Sequence, residues 1–130
     1  MPVVSVTRLR VRSVRFLPAF IWDTARSLRQ ARNSDGCLRA DVRREKGLAF
    51  WTRTVWRDLA AMQTFVGAGA HRAAMPKLRE WCDEAAVVHW QEGSPTFPDW
   101  QTAAARLRAE GRLSRVRYPS RAHGEGERVP

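Results

Sequence analysis

Lysine, asparagine and isoleucine are almost missing from this chain: Lys46, Lys77, Asn33 and Ile21 are all there is of those types in 130 residues. With 23 basic residues against 13 acidic ones, the formal net charge of +10 is therefore carried by arginine. Such a skew fits an arginine-favouring coding bias, which raises basicity without any polyanionic partner. Cysteine is equally scarce. Cys37 and Cys82 are too few for a disulfide framework, lack the spacing of a metal-binding pair, and have no adjacent histidine that would suggest an activated thiol. No uninterrupted apolar run approaches the roughly 18 residues of a membrane span. The amino terminus MPVVSVTRLRVR breaks its apolar residues with arginine, unlike the continuous apolar stretch of a signal peptide. The expectation is a cytoplasmic protein. Also missing are a G-x-S-x-G elbow, a P-loop and a G-x-G-x-x-G turn after a strand, so the commonest acyl-transfer and phosphate-cradling sites are excluded.

What is present is a composition that folds: 44% hydrophobic residues, including six tryptophans and five phenylalanines, are enough for one ordinary core. Val3 to Arg12 alternates on a period of two and is rich in β-branched residues, which predicts a strand. Leu17, Phe20, Ile21, Thr24, Leu28 and Ala31 recur at helical spacing behind Pro18, and the turn formers Asn33 to Gly36 end that helix. Cys37 to Arg44 and Leu48 to Arg57 read as two strands of a hairpin turning at Glu45-Lys46-Gly47. A second helix starts at the cap candidate Asp58. Gly67 and Gly69, each costing about 1 kcal/mol relative to alanine, predict a bend near Gly67 to His71 before a further helical segment to Trp81. Asp83-Glu84 reads as a solvated turn, Ala85 to Trp90 as a fourth strand and SPTFPDW as a linker. A last helix, about residues 99–110, is capped by Asp99 and ended by Gly111. Residues 1–111 are expected to form one domain, and 112–130 a basic extension with a disordered end.

The order is βαββαβ plus a C-terminal helix, an α+β arrangement of the ferredoxin-like kind. Such a unit covers one sheet face with helices and leaves the other bare. In the third strand both parities are apolar, with Ala49, Trp51 and Val55 on one and Phe50 and Trp56 on the other. A strand with one face in water would alternate, so the second face is expected to meet a second subunit, making a homodimer closed sheet on sheet. Arg8, Arg10 and Arg12 share a parity on the central first strand. They either pair with acids such as Asp41 or form a candidate anion-binding strip.

From Phe50 to Trp90 the chain carries an ordered set: Trp56, Asp58-Leu59, Met62, Phe65-Val66, Gly69-Ala70-His71, Met75 and Trp81. In that order the set resembles the dimeric α+β barrel superfamily that includes the antibiotic-biosynthesis monooxygenases, in the branch related to spheroidene monooxygenase. The resemblance implies a dimeric barrel of ferredoxin-like subunits, an apolar small-molecule ligand and, where there is activity, an oxidoreductase of the monooxygenase type. Members of the superfamily work without a cofactor or with haem, so the cofactor is open between none and haem.

His71, beside small residues that let a flat ligand approach, is the candidate catalytic residue, as a general acid/base or an axial haem ligand. Its bland alternative is a hinge histidine bonded to backbone. Trp51, Trp56, Phe65, Met75, Trp81 and Trp90 are the candidate substrate-binding residues, since such side chains enclose flat apolar ligands, although each aromatic taken singly is more often core. His89 is expected to pack. The three histidines have no ligand spacing, so no metal site is expected. A non-catalytic binding or structural dimer is the second functional reading. Nucleic-acid binding through the arginine-rich tail is the least favoured, because aromatic and basic residues do not interleave there as a stacking surface requires.

Overall fold

Alternation along Val3–Val11 (β1) organises the molecule: Val4, Val6 and Arg8 point to one side of the sheet, and Val3, Ser5, Thr7, Leu9 and Val11 to the other. The computed structural model describes residues 1–130. After a short 3-10 turn at Val14–Phe16 come α1 (Leu17–Arg32), β2 (Cys37–Arg44), β3 (Ala49–Trp56), α2 (Leu59–Val66), α3 (Gly69–Trp81) and β4 (Cys82–Gln91). The chain then adds α4 (Trp100–Glu110), β5 (Arg112–Leu113) and α5 (Arg121–Gly124). The strands form one antiparallel sheet in the order β2-β3-β1-β4-β5, with β1 at its centre. This is the expected ferredoxin-like α+β fold.

Helices α1, α2 and α3 cover one face, in two separate clusters. At one end Val3, Ala31, Ala40, Trp56, Met62 and Phe65 close together; at the other, Val11, Phe20, Phe50 and Cys82 do. The turn into β2 fits against α2 because Gly36 takes φ +86°, and a Cβ there would lie 2.5 Å from the Cβ of Ala61. Asp58 caps α2 by accepting from the Ala61 amide at 2.9 Å, and the helix stops at Gly67, where the bend was expected.

The opposite face is not bare. Ala103 and Leu107 of α4 are fully buried over Val4, Val6, Trp51, Val55, Ala86, Val88 and Trp90. Burying Leu107 alone contributes about 2 kcal/mol. Arg53 of β3 holds the helix down: it forms a two-point ion pair with Asp41 (2.8 and 2.9 Å), donates to the Pro98 carbonyl, and lies under the rings of Phe97 and Trp100 at 4.0 and 4.2 Å. Gly111 follows so closely that a Cβ would fall 2.3 Å from the Leu107 carbonyl oxygen. The apolar face on which the expectation of a sheet-on-sheet homodimer rested is thus covered within the chain, by a helix that the βαββαβ pattern does not include.

One expectation needs correction. Asp83 and Glu84 lie inside β4, not in a solvated turn, and Glu84 is buried because Arg8 on the adjacent strand reaches it. Residues 112–120 are laid along β4. Leu113 pairs with Ala86, and the amides of Ser114 and Ser120 donate to the carbonyls of Ala85 and Asp83 at 2.9 and 3.0 Å. Backbone bonds hold this segment, and those leave no side-chain period to read. No helix is long and apolar enough to cross a membrane.

Candidate functional site

On the face covered by α1, α2 and α3, the two apolar clusters leave the middle of the sheet partly open. Register places Thr54, Ser5 and His89 in one row across β3, β1 and β4, and Thr52, Thr7 and Val87 in the next. Ser5, Thr7, Thr52, Thr54 and Val87 are half-buried and His89 is exposed. A sheet centre under helices is normally closed by large apolar side chains. Here it is floored by hydroxyls, and only Thr54 has a side-chain partner, accepting from the indole Nε1 of Trp56 at 2.8 Å. The floor is suited to a flat ligand body and offers hydroxyls to its polar substituents.

A ring stack closes one end. Trp56, fully buried, stacks on Phe65 with centroids 5.1 Å apart, and Phe65 meets the imidazole of His71 at 4.7 Å. His71 is placed at the start of α3 by Gln30 of α1. The Gln30 Oε1 accepts from the His71 amide (2.8 Å), and its Nε2 donates to the Ala68 carbonyl (2.8 Å). An Nδ1–H donating to the Val66 carbonyl (3.2 Å) leaves Nε2 as the free ring nitrogen. Burial lowers the pKa of His71 and the Val66 carbonyl only partly opposes it, so the ring is neutral at pH 7. At the other end Phe20 packs on Phe50 with centroids 5.0 Å apart.

The six predicted ligand-binding residues do not converge. Trp56 and Phe65 belong to this stack, and Trp81 packs with the far cluster under the Lys77 ammonium, 5.8 Å from its ring. Met75 is exposed on α3. Trp51 and Trp90 lie on the opposite face beneath α4, because β3 and β4 alternate and their parities put these two indoles there. His89 is exposed rather than packed. The hydroxyl rows were missed. Their signal was available, since serine and threonine recur at alternate positions in VSVTR and WTRTVW, on the parity that also carries Val3, Leu9 and Trp56.

The arginine strip is occupied by carboxylates. Arg8, buried, donates to Glu84 at 2.7 Å and to Glu45 at 3.2 Å; Arg10 reaches Glu84 at 3.3 Å; Arg12 reaches Glu80 at 3.1 Å. Asp41, the partner first considered, is taken by Arg53. Burial pushes the Glu84 carboxyl up, but hydrogen bonds from Arg8 and Ser120 and the charges of Arg8 and Arg10 together hold it below the ordinary value. This cluster fixes β1 to β4 and leaves Arg8 no guanidinium edge for an outside anion. Neither thiol is activated: burial pushes Cys82 up to about 12 and raises Cys37. No group of three or more His, Cys, Asp or Glu side chains is arranged to hold a metal ion.

Comparison with known proteins agrees with the architecture. The family model described as Domain of unknown function (DUF3291) matches residues 13–114. No curated protein matches the sequence. Among solved structures, SnoaB from Streptomyces nogalater, described as a cofactor-independent oxygenase, superposes with a TM-score of 0.59 at 21% identity, covering 75% of this chain and 98% of its own. Rv0793 from Mycobacterium tuberculosis gives 0.64 at 19% identity over 72% of this chain and 100% of its own. A conserved protein from Methanosarcina mazei Go1 gives 0.64 at 15% identity, covering 71% and 93%. The fold is that of the antibiotic-biosynthesis-monooxygenase-like α+β proteins, as the residues from Trp56 to Trp81 suggested.

Proposed function

The chain belongs to the DUF3291 family and has the monooxygenase-like fold, and from that premise we propose that it binds an apolar, hydroxyl-bearing small molecule between the sheet and helices α1 to α3 and oxygenates it. The observation that carries this reading is the half-open floor of Ser5, Thr7, Thr52 and Thr54 in the middle of an otherwise closed face. In a cofactor-independent reaction the bound substrate itself supplies electrons to oxygen, and the protein contributes orientation, a dry cavity and a proton acceptor. Neutral His71, with Nε2 free at the edge of the ring stack, is the group suited to take a phenolic proton.

The test is oxygen uptake by the purified protein, without added metal or flavin, across a panel of polycyclic phenols. Uptake that falls about a hundredfold in kcat for His71→Ala, while Thr7→Val and Thr52→Val mainly raise KM, supports the reading. No uptake, or uptake indifferent to all three substitutions, overturns it. A second reading, haem ligation by His71, draws on the same fact, since an imidazole oriented through Nδ1 by a carbonyl presents Nε2 to a metal. Added haem would then give a shifted Soret band that His71→Ala abolishes.

A further inference from the structure

The face covered by α4 holds a cleft that the preceding reading does not use. It measures about 400 Å³, within the range of sites for small organic ligands, and opens beside the first turn of α4. Trp51 from β3 and Trp100 from α4 supply two indole walls, Arg43 and Arg108 line it with guanidinium groups, and Gln101 adds an amide. Neither arginine forms an ion pair. The carboxylate side chain on the wall, Glu45, is already bonded to Arg8 at 3.2 Å, and Val129 and Pro130 also line the cleft.

Arg43 is exposed on β2, with its guanidinium carbon 5.7 Å from the centroid of Trp100. A guanidinium over a ring keeps its N–H edge free for a planar acceptor. Arg108 is exposed on α4, and its backbone carbonyl accepts from Arg128, which ties the C-terminal segment to the cleft. Two uncompensated guanidinium groups ask for an anion with two oxygens in one plane. The two indoles ask for a flat apolar body.

We propose that this cleft binds an aromatic carboxylate, with its ring system between Trp51 and Trp100 and its carboxylate on Arg43 and Arg108. The site lies on the opposite face of the sheet from His71 and the hydroxyl floor, so it can hold its ligand whether or not that floor is a substrate site.

The probe is 2-naphthoate, titrated against the full chain and followed by tryptophan fluorescence, with naphthalene-2-carboxamide and inorganic phosphate as comparison ligands. Saturable quenching is expected, weakened about tenfold in Arg43→Gln and in Arg108→Gln and unchanged in His71→Ala. The carboxamide should bind more weakly, having no charge, and phosphate should not displace the probe, having no ring. Both arginines lie at the protein surface, and circular dichroism of each variant confirms that it is folded. Absence of saturable binding, affinity in both arginine variants equal to that of the parent chain, or full displacement by phosphate overturns the proposal.

Discussion

The two faces of this sheet are built from the same strands and finished in opposite ways. Beneath α4 the central positions are closed apart from the cleft beside Trp51 and Trp100, and even a charge is accommodated there, because Arg8 is met by Glu84 at 2.7 Å. Beneath α1 to α3 the ends are closed and the centre is not, its rows made of serine, threonine, valine and an exposed histidine. The first face spends its side chains on stability. The second leaves hydroxyls without partners at half-burial, which contributes little to folding and leaves room for a ligand. A face read only from its strand parity would be assigned the other way round.

Substitutions can break that contrast. The largest effect is expected at Glu84→Ala, which takes from buried Arg8 the nearer of its two carboxylates and leaves it only the half-exposed Glu45, and should cost about 3 to 5 kcal/mol in urea unfolding. A loss near zero would mean that the pair is solvated. Leu107→Ala comes next, at about 2 to 5 kcal/mol, because it opens a void under α4. If the protein kept its stability, α4 would not be the lid of that face.

A pH effect should follow from His71. Its folded pKa lies below the ordinary 6.5, so the native state prefers the neutral ring. The stability this contributes is complete above about 6.5 and is lost as pH falls from there toward the folded value. Melting temperatures measured from about pH 7.5 to 5 should therefore fall less steeply in His71→Gln than in the parent chain. The smallest effect should be Thr52→Val, within about 0.5 kcal/mol in stability. A loss as large as that of Leu107→Ala would show that the centre of the open face is core after all.

How far the sequence could be read depends on what kind of bond carries each element. β1, α1 and the β2–β3 hairpin show in side-chain periodicity because side chains hold them, and Gly67 marks the end of α2 because its backbone breaks there. The cover over Trp51 and Trp90 was not legible, although α4 itself was. Nothing in a helix of modest amphipathicity says which sheet face it will lie on, and that decision rests on Arg53 reaching Asp41 and the rings of Phe97 and Trp100. The β5 segment was hidden for a related reason, since amides and carbonyls hold it. Of the candidate residues singled out in the sequence, His71, Trp56 and Phe65 lie together. Trp51 and Trp90 were assigned to the wrong side, because aromatic content says nothing about parity until the register is known.

Gln30 has a consequence for how motion spreads through the molecule. From the last turn of α1, its one amide side chain accepts from the His71 N–H and donates to the Ala68 carbonyl. The amide hydrogen of His71 is the first of α3 to be protected, yet its acceptor belongs to α1. Its exchange with solvent deuterium should keep time with the local opening of α1, not with the fraying of the helix to which it belongs. The start of α3 and the last turn of α1 then form one unit of local unfolding.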